Sequence, residues 1–217
     1  MFHNVYGPPC DYGERSQVIP ALIRKAVNYP EEPFNVWGSG LQGRAFIHVD
    51  DVVEALCLAL EKGWGHGYIQ IGPSVCTSIK EIAETVVKIS GKDIEIVYDT
   101  TKPEGDKARS ADYTKAKTIL GWEPKIALED GLRQQYEWVK SQIEKSGCHQ
   151  NSKGFFRYSS RFYFPHVGLK TVLLSSQETS SSLTQIAIKN YIKVILWILM
   201  CILPWMSTII LWKEKGL

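Results

Sequence analysis

Two spacings in this chain could do chemistry. Gly38-Ser39-Gly40-Leu41-Gln42-Gly43 spells G-x-G-x-x-G. That pattern works when its glycines open a helix whose N-terminal amides hold a dinucleotide pyrophosphate. Here a strand-like stretch, Phe34–Trp37, precedes the glycines, but Arg44-Ala45-Phe46-Ile47-His48 follows them and reads as another strand. Without a helix N-terminus the phosphate mechanism fails, and a hairpin-like loop is expected instead. The second spacing is Tyr-x-x-x-Lys, in which a lysine lowers the pKa of a tyrosine acid/base. It occurs at Tyr98/Lys102, Tyr113/Lys117 and Tyr136/Lys140. Ten Tyr and 18 Lys among 217 residues give roughly one such pair by chance. Pro103 follows the first pair, Tyr136 belongs to an apolar stripe, and nothing near Tyr113 forms a cofactor site, so all three read as structural. The five cysteines and five histidines are scattered and complete no metal site, which leaves reduced thiols, mostly buried as small hydrophobes.

The elements that must position any site alternate between strand-like and helix-like. Helices are expected over Gln17–Ala26, from about Asp51 to Gly63, after Ser78, over Thr114–Leu120 and over Leu128–Lys145. Ser78-Ile79-Lys80-Glu81 is a capping-box sequence. Strands are expected at Phe34–Trp37, Ala45–Val49, Tyr68–Ile71 and Ile94–Tyr98. Mixed elements at this density indicate an α/β or α+β domain.

Composition separates the chain into parts. Hydrophobic residues make up 44% and charged residues 22%, which excludes disorder, collagen and a small disulfide scaffold. Residues 1–147 carry 17 Lys+Arg against 21 Asp+Glu, net −4, whereas 148–217 carry 8 against 2, net +6. Residues 1–146 therefore read as one domain and 147–190 as a linker with a Ser/Thr-rich stretch. The segment 191–213 reads as a transmembrane helix, because Val194–Trp212 is nineteen residues without a charge, bracketed by lysines. That length covers the roughly 30 Å bilayer core, although Pro204 allows a buried core helix as the alternative. Lysines on the N-terminal side of the run favour a cytoplasmic domain anchored in the inner/cytoplasmic membrane. Met1 enters a polar, Gly/Pro-rich loop, so no signal peptide is expected. The net-acidic domain and a tail without a basic-aromatic stripe argue against nucleic acid.

Several phrases in order carry a family likeness. They are Phe2-His3-Asn4-Val5-Tyr6-Gly7-Pro8, Val18-Ile19-Pro20-Ala21-Leu22-Ile23-Arg24-Lys25-Ala26, Trp37 through Asp51, and Leu120-Gly121-Trp122-Glu123-Pro124. The chain resembles the carboxyl-terminal half of the extended short-chain dehydrogenase/reductases, the NAD-dependent sugar-nucleotide epimerases and dehydratases. The opening phrase, and Pro103-Glu104-Gly105 followed by Arg109, resemble the GDP-mannose 3,5-epimerase branch most.

The resemblance implies an α/β fold, the substrate-binding half of an extended Rossmann-type enzyme, and a nucleotide-diphosphate sugar as ligand. It implies NAD for the intact family enzyme, with neither the NAD fingerprint nor the catalytic Tyr-x-x-x-Lys in this chain, and so no catalytic residue here. Family members commonly dimerise, so a homodimer is also implied. Substrate-binding positions carry over to Asn4, Gln17, Lys25, Gln42, Arg44 and Arg109. Two guanidinium forks suit a diphosphate, whose anionic oxygens come in pairs. A surface salt bridge from Arg44 to Asp50 or Asp51 is the competing reading. Gln17 stands where the 3,5-epimerases place a lysine acid/base, and an amide cannot exchange a proton with a sugar carbon. A non-catalytic, membrane-tethered sugar-nucleotide-binding module is the alternative function.

Overall fold

The structure, a computed structural model, describes residues 1–102, 104, 105 and 107–146. The reading of 147–190 as a linker and of 191–213 as a membrane helix lies outside the described residues. Among the described residues no helix is long and apolar enough to cross a membrane.

Among the described residues, seven short strands and five helices follow in order: β1 (Asn4–Tyr6), α1 (Val18–Val27), β2 (Asn35–Trp37), β3 (Gly43–Arg44), β4 (Phe46–His48), α2 (Val49–Lys62), β5 (Thr77–Ser78), α3 (Ile79–Ser90), β6 (Val97–Asp99), β7 (Ala108–Arg109), α4 (Thr114–Leu120) and α5 (Leu128–Ser146). Strands β1 and β4 pair in parallel, as do β2 and β6, while β3 lies between antiparallel β5 and parallel β7.

Two strand expectations change. Of Tyr68–Ile71 only Ile71 pairs, in a parallel bridge to Phe2. The sixth strand begins at Val97 rather than Ile94, because its partner β2 runs only from Asn35 to Trp37.

Each helix forms where its sequence satisfies the end groups and one face is apolar. In α3 the Ser78 hydroxyl accepts from the Glu81 N–H at 3.1 Å, and the Glu81 carboxylate accepts from the Ser78 N–H at 2.7 Å. The helix ends at Gly91 with φ +67°, a left-handed conformation that glycine adopts without strain. Helix α2 starts with the His48 ring accepting from the Asp50 N–H at 3.3 Å. Asp50 and Asp51 lie in its first turn, where negative charge complements the helix dipole. Pro20 sits in the first turn of α1, where a missing N–H costs nothing.

Helices α1, α3 and α5 pack on one another and bury Ile19, Ile23, Ile82, Val86, Leu132 and Val139 against Phe34 and Val36. A second cluster joins α2 and α4 around Trp122, which is 1% exposed and donates its indole N–H to the Asp51 carbonyl at 3.0 Å. The buried Asp51 carboxylate accepts from the Lys125 and Ile126 amides at 3.2 and 3.1 Å. These bonds tie the 122–126 loop to the start of α2. The thiols depart from expectation: Cys10 and Cys57 are only half-buried and Cys76 is exposed. Cys76 lies just outside β5, whose strand residues are themselves only partly covered.

Candidate functional site

The two arginines are brought together by strand register. Arg44 of β3 stands opposite Arg109 of β7 and opposite Thr77 of β5. Register partners project from the same face of a sheet, and adjacent strands lie about 4.8 Å apart. The two arginine side chains therefore leave one face from neighbouring strands, although they are 65 positions apart in sequence (109 − 44 = 65). Arg44 is half-buried and donates from Nη1 to the Gly43 carbonyl at 2.7 Å, while Arg109 is exposed. Gly105 lies so close that a Cβ there would stand 2.6 Å from the Arg44 Nη2. A side chain there would push the guanidinium aside.

The glycine loop between β2 and β3 is not a hairpin. Its flanking strands do not pair with each other, since β2 pairs with β6 and β3 with β5 and β7. Partners from outside hold it instead. The Gly38 N–H donates to the Asp99 carbonyl at 2.8 Å, and the Gly43 N–H to the Lys107 carbonyl at 2.8 Å. The Lys80 N–H donates to the Gly40 carbonyl at 2.9 Å. The Ser39 N–H donates to the Glu104 carboxylate. That bond, with a smaller contribution from the Ser39 side chain, holds the Glu104 carboxyl below its usual range. The loop runs into β3, not into a helix, and its Ser39 amide is already given to a carboxylate of the same chain. It does not fit a dinucleotide pyrophosphate.

The other residues singled out in sequence fall into three places. Asn4 is exposed on β1, opposite Phe46, and its N–H donates to the carbonyl of Ala45, the residue after Arg44, at 3.2 Å. Gln42 and Lys25 converge on β2. Gln42 donates from Nε2 to the Trp37 carbonyl at 3.2 Å, and its Oε1 is buried with no partner among the described residues. Lys25, on α1, donates to the Asn35 carbonyl at 2.6 Å. Burial is the main cause that lowers its ammonium pKa; nearby Glu32 opposes it and Arg24 adds to it. Gln17 stands apart, exposed at the N-cap of α1 with no side-chain capping bond.

The three Tyr-x-x-x-Lys spacings produce no catalytic pair. Tyr136 is buried in the helical core. Lys117 is bound to Glu123 at 2.8 Å, and Tyr113 packs edge-on against Trp122. Tyr98 lies on β6 against Gly40, and Lys102 sits 5.8 Å from the Trp37 ring centre. Among the described residues no His/Cys/Asp/Glu group could hold a metal ion.

Sequence reasoning missed two residues at this site, Trp37 and Glu104. Trp37 is 60% exposed at the end of β2, beside the glycine loop. A tryptophan on an apolar strand pattern reads as core, so periodicity could not mark it. The only available signal for Glu104 was its place in the Pro-Glu-Gly phrase.

With this geometry in hand, comparison with known proteins becomes specific. Residues 1–72 match the model of the NAD dependent epimerase/dehydratase family. Those residues carry the likeness to that family within this chain. It is 39% identical over 145 residues to GDP-L-fucose synthase 1 of Arabidopsis thaliana, covering 64% of this chain and 44% of the relative. It is 39% identical over 145 residues to GDP-mannose 3,5-epimerase 1 of Oryza sativa subsp. indica, covering 66% and 38%. The chain thus spans less than half the length of these curated relatives.

Among solved structures, UDP-glucose 4-epimerase of Thermotoga maritima with UDP-glucose matches with a TM-score of 0.58 and 34% identity, covering 65% of this chain and 45% of that one. UDP-glucuronic acid 4-epimerase of Bacillus cereus, in complex with UDP-glucuronic acid and NAD, matches with a TM-score of 0.58 and 31% identity, covering 65% and 44%. The fold is the α/β, Rossmann-like arrangement of these epimerases.

Proposed function

We propose that residues 1–146 form the substrate-binding part of a nucleotide-sugar epimerase or dehydratase, with Arg44 and Arg109 clamping the diphosphate. The observation that carries this reading is the Arg44–Arg109 register pair. Two forks on one face offer paired N–H donors to paired phosphate oxygens. Asn4, on β1 beside the strand that follows Arg44, is assigned to the sugar. The unmet Gln42 Oε1 is an acceptor that a ligand O–H or N–H would satisfy. Lys25 braces the β2 end of the proposed site through the Asn35 carbonyl, and the exposed Trp37 ring offers it a flat apolar surface.

Gln17 is assigned to substrate contact and not to proton transfer, which argues against 3,5-epimerisation. NAD, which the solved Bacillus cereus relative holds, is assigned to a part of the family fold outside the described residues. A guanosine diphosphate sugar is the first ligand to test, because GDP stands in the names of the curated relatives. Calorimetry of the full chain with GDP should give a measurable Kd that weakens roughly tenfold or more in Arg44→Ala and in Arg109→Ala. An unchanged affinity in both variants would sink the clamp.

The uncharged run 194–212 supports a further part of the proposal, a membrane anchor for this domain. Carbonate-washed membranes should retain the full chain; release into the wash would refute the anchor.

A further inference from the structure

Trp37 and Glu104 meet at one edge of the glycine loop. Trp37 ends β2 with its ring exposed. At Gly38, the next residue, a Cβ would stand 2.5 Å from the Glu104 Cγ and 2.8 Å from its Oε1. The Ser39 N–H then donates to that same Oε1. A large exposed ring and a carboxylate therefore flank the same turn of the chain.

Ser39 uses only part of the carboxylate. Its two oxygens offer about four acceptor positions, and among the described residues Glu104 bonds to Ser39 alone. Lys102, two residues before Glu104, supplies the opposite polarity. Its N–H donates to the Asp99 carbonyl at 3.3 Å, and the Asp99 carboxylate accepts from the Thr101 N–H at 3.1 Å. This turn carries the Lys102 ammonium to 5.8 Å from the Trp37 ring centre. The side chain is exposed, so the ammonium can swing to the rim of a flat ligand lying on that ring.

We propose that Trp37, Glu104 and Lys102 form the base subsite of the nucleotide and select guanine. The inference rests on the Arg44–Arg109 clamp proposed above. Gly105 stands against the Arg44 guanidinium, so a base at Glu104 adjoins a diphosphate at Arg44. Stacking on tryptophan is open to every base, because every base has a π-face. The edge of the base makes the choice. Guanine presents a ring N–H and an exocyclic amino group side by side, with a carbonyl oxygen next to them. The two donors suit the carboxylate and the carbonyl suits the ammonium, in charge-assisted bonds. Hypoxanthine lacks the amino group. Uracil has a carbonyl oxygen in its place, which the carboxylate repels.

The test is calorimetry of the full chain with GDP, inosine diphosphate and UDP. The wild type should bind GDP at least about tenfold more tightly than either of the others, the scale of one bond to a charged group. Glu104→Gln keeps a carbonyl oxygen for the Ser39 N–H but turns an amide N–H toward the base, donor against donor. It should weaken GDP roughly tenfold and remove the preference over inosine diphosphate, while UDP affinity moves by less than about twofold. A carboxylate that only pinned the glycine loop would weaken all three ligands alike, and that result would overturn the proposal. Equal affinity of the wild type for the three would also overturn it. If Arg109→Ala then weakened all three together, the clamp would stand without the base subsite. Binding of none of the three would refute the clamp, and the base subsite with it.

Discussion

On one side of this domain Ile19, Ile23, Ile82, Val86, Leu132 and Val139, from three helices, are almost completely buried. On the other, β3 is two residues long, its neighbours β5 and β7 are equally short, and Arg109 is exposed. Apolar area removed from water holds the first side, and it is indifferent to small shifts in register. The second side depends on a few backbone bonds, and there a slip of one residue in β7 would turn Arg109 to the opposite face. The stable side can thus tolerate change in detail, while the binding side needs its detail and contributes little to stability.

The sharpest way to break that contrast is to damage the core and ask whether the domain survives. Trp122→Ala removes a buried indole and its bond to the Asp51 carbonyl. Chemical denaturation should show a loss of about 3–5 kcal/mol. A loss under about 1 kcal/mol would mean that the second cluster contributes no more than a surface contact. Next in size is Asp51→Ala, which leaves the Lys125 and Ile126 amides without their acceptor. The cost of unsatisfied buried donors is about 1–3 kcal/mol, read in the same experiment.

The binding side should respond in the opposite way. Arg109→Ala should move stability by no more than about 0.5 kcal/mol, as surface substitutions do, and Arg44→Ala by about 1 kcal/mol, the worth of its bond to the Gly43 carbonyl. Their effect on GDP affinity should be roughly tenfold, about 1.4 kcal/mol. If either variant unfolded the domain, the division into a stabilising side and a binding side would be wrong.

Sequence legibility follows the same division. The apolar stripes of α1, α3 and α5 and the capping box at Ser78 could be read locally, because a helix is decided by residues three and four apart. The strands near the site could not. Ile94 looks like strand and is buried, yet only Val97–Asp99 pairs, since pairing depends on where β2 begins and ends. The glycine loop looked like a hairpin because its flanks are adjacent in sequence, whereas their partners are β5, β6 and β7. Arg44 and Arg109 could be picked out only through the family resemblance. Their placement on one face depends on a register between segments 65 positions apart (109 − 44 = 65), which no local pattern encodes.

The capping box at the start of α3 lies between the two sides, because its helix packs into the core while Thr77 and Ser78 form β5. Ser78→Ala removes the hydroxyl that accepts from the Glu81 N–H and should cost about 1 kcal/mol. The smallest effect belongs to Glu81 itself and is visible in its pH dependence. The Ser78 N–H, and after it the Ser78 hydroxyl, hold the Glu81 carboxyl below its usual range in the folded state. A depressed folded pKa means that the stabilisation is complete above the unfolded value and is lost as pH falls through the folded one. The denaturation midpoint of the wild type should therefore exceed that of Glu81→Gln at pH 7 by a small margin, because glutamine keeps the reciprocal bond but not the charge. That margin should shrink progressively as the pH is taken from 7 down to about 2, because protonation removes the charge. A margin that stayed constant down to that pH would assign the difference to packing, and the cap would then contribute nothing through its charge.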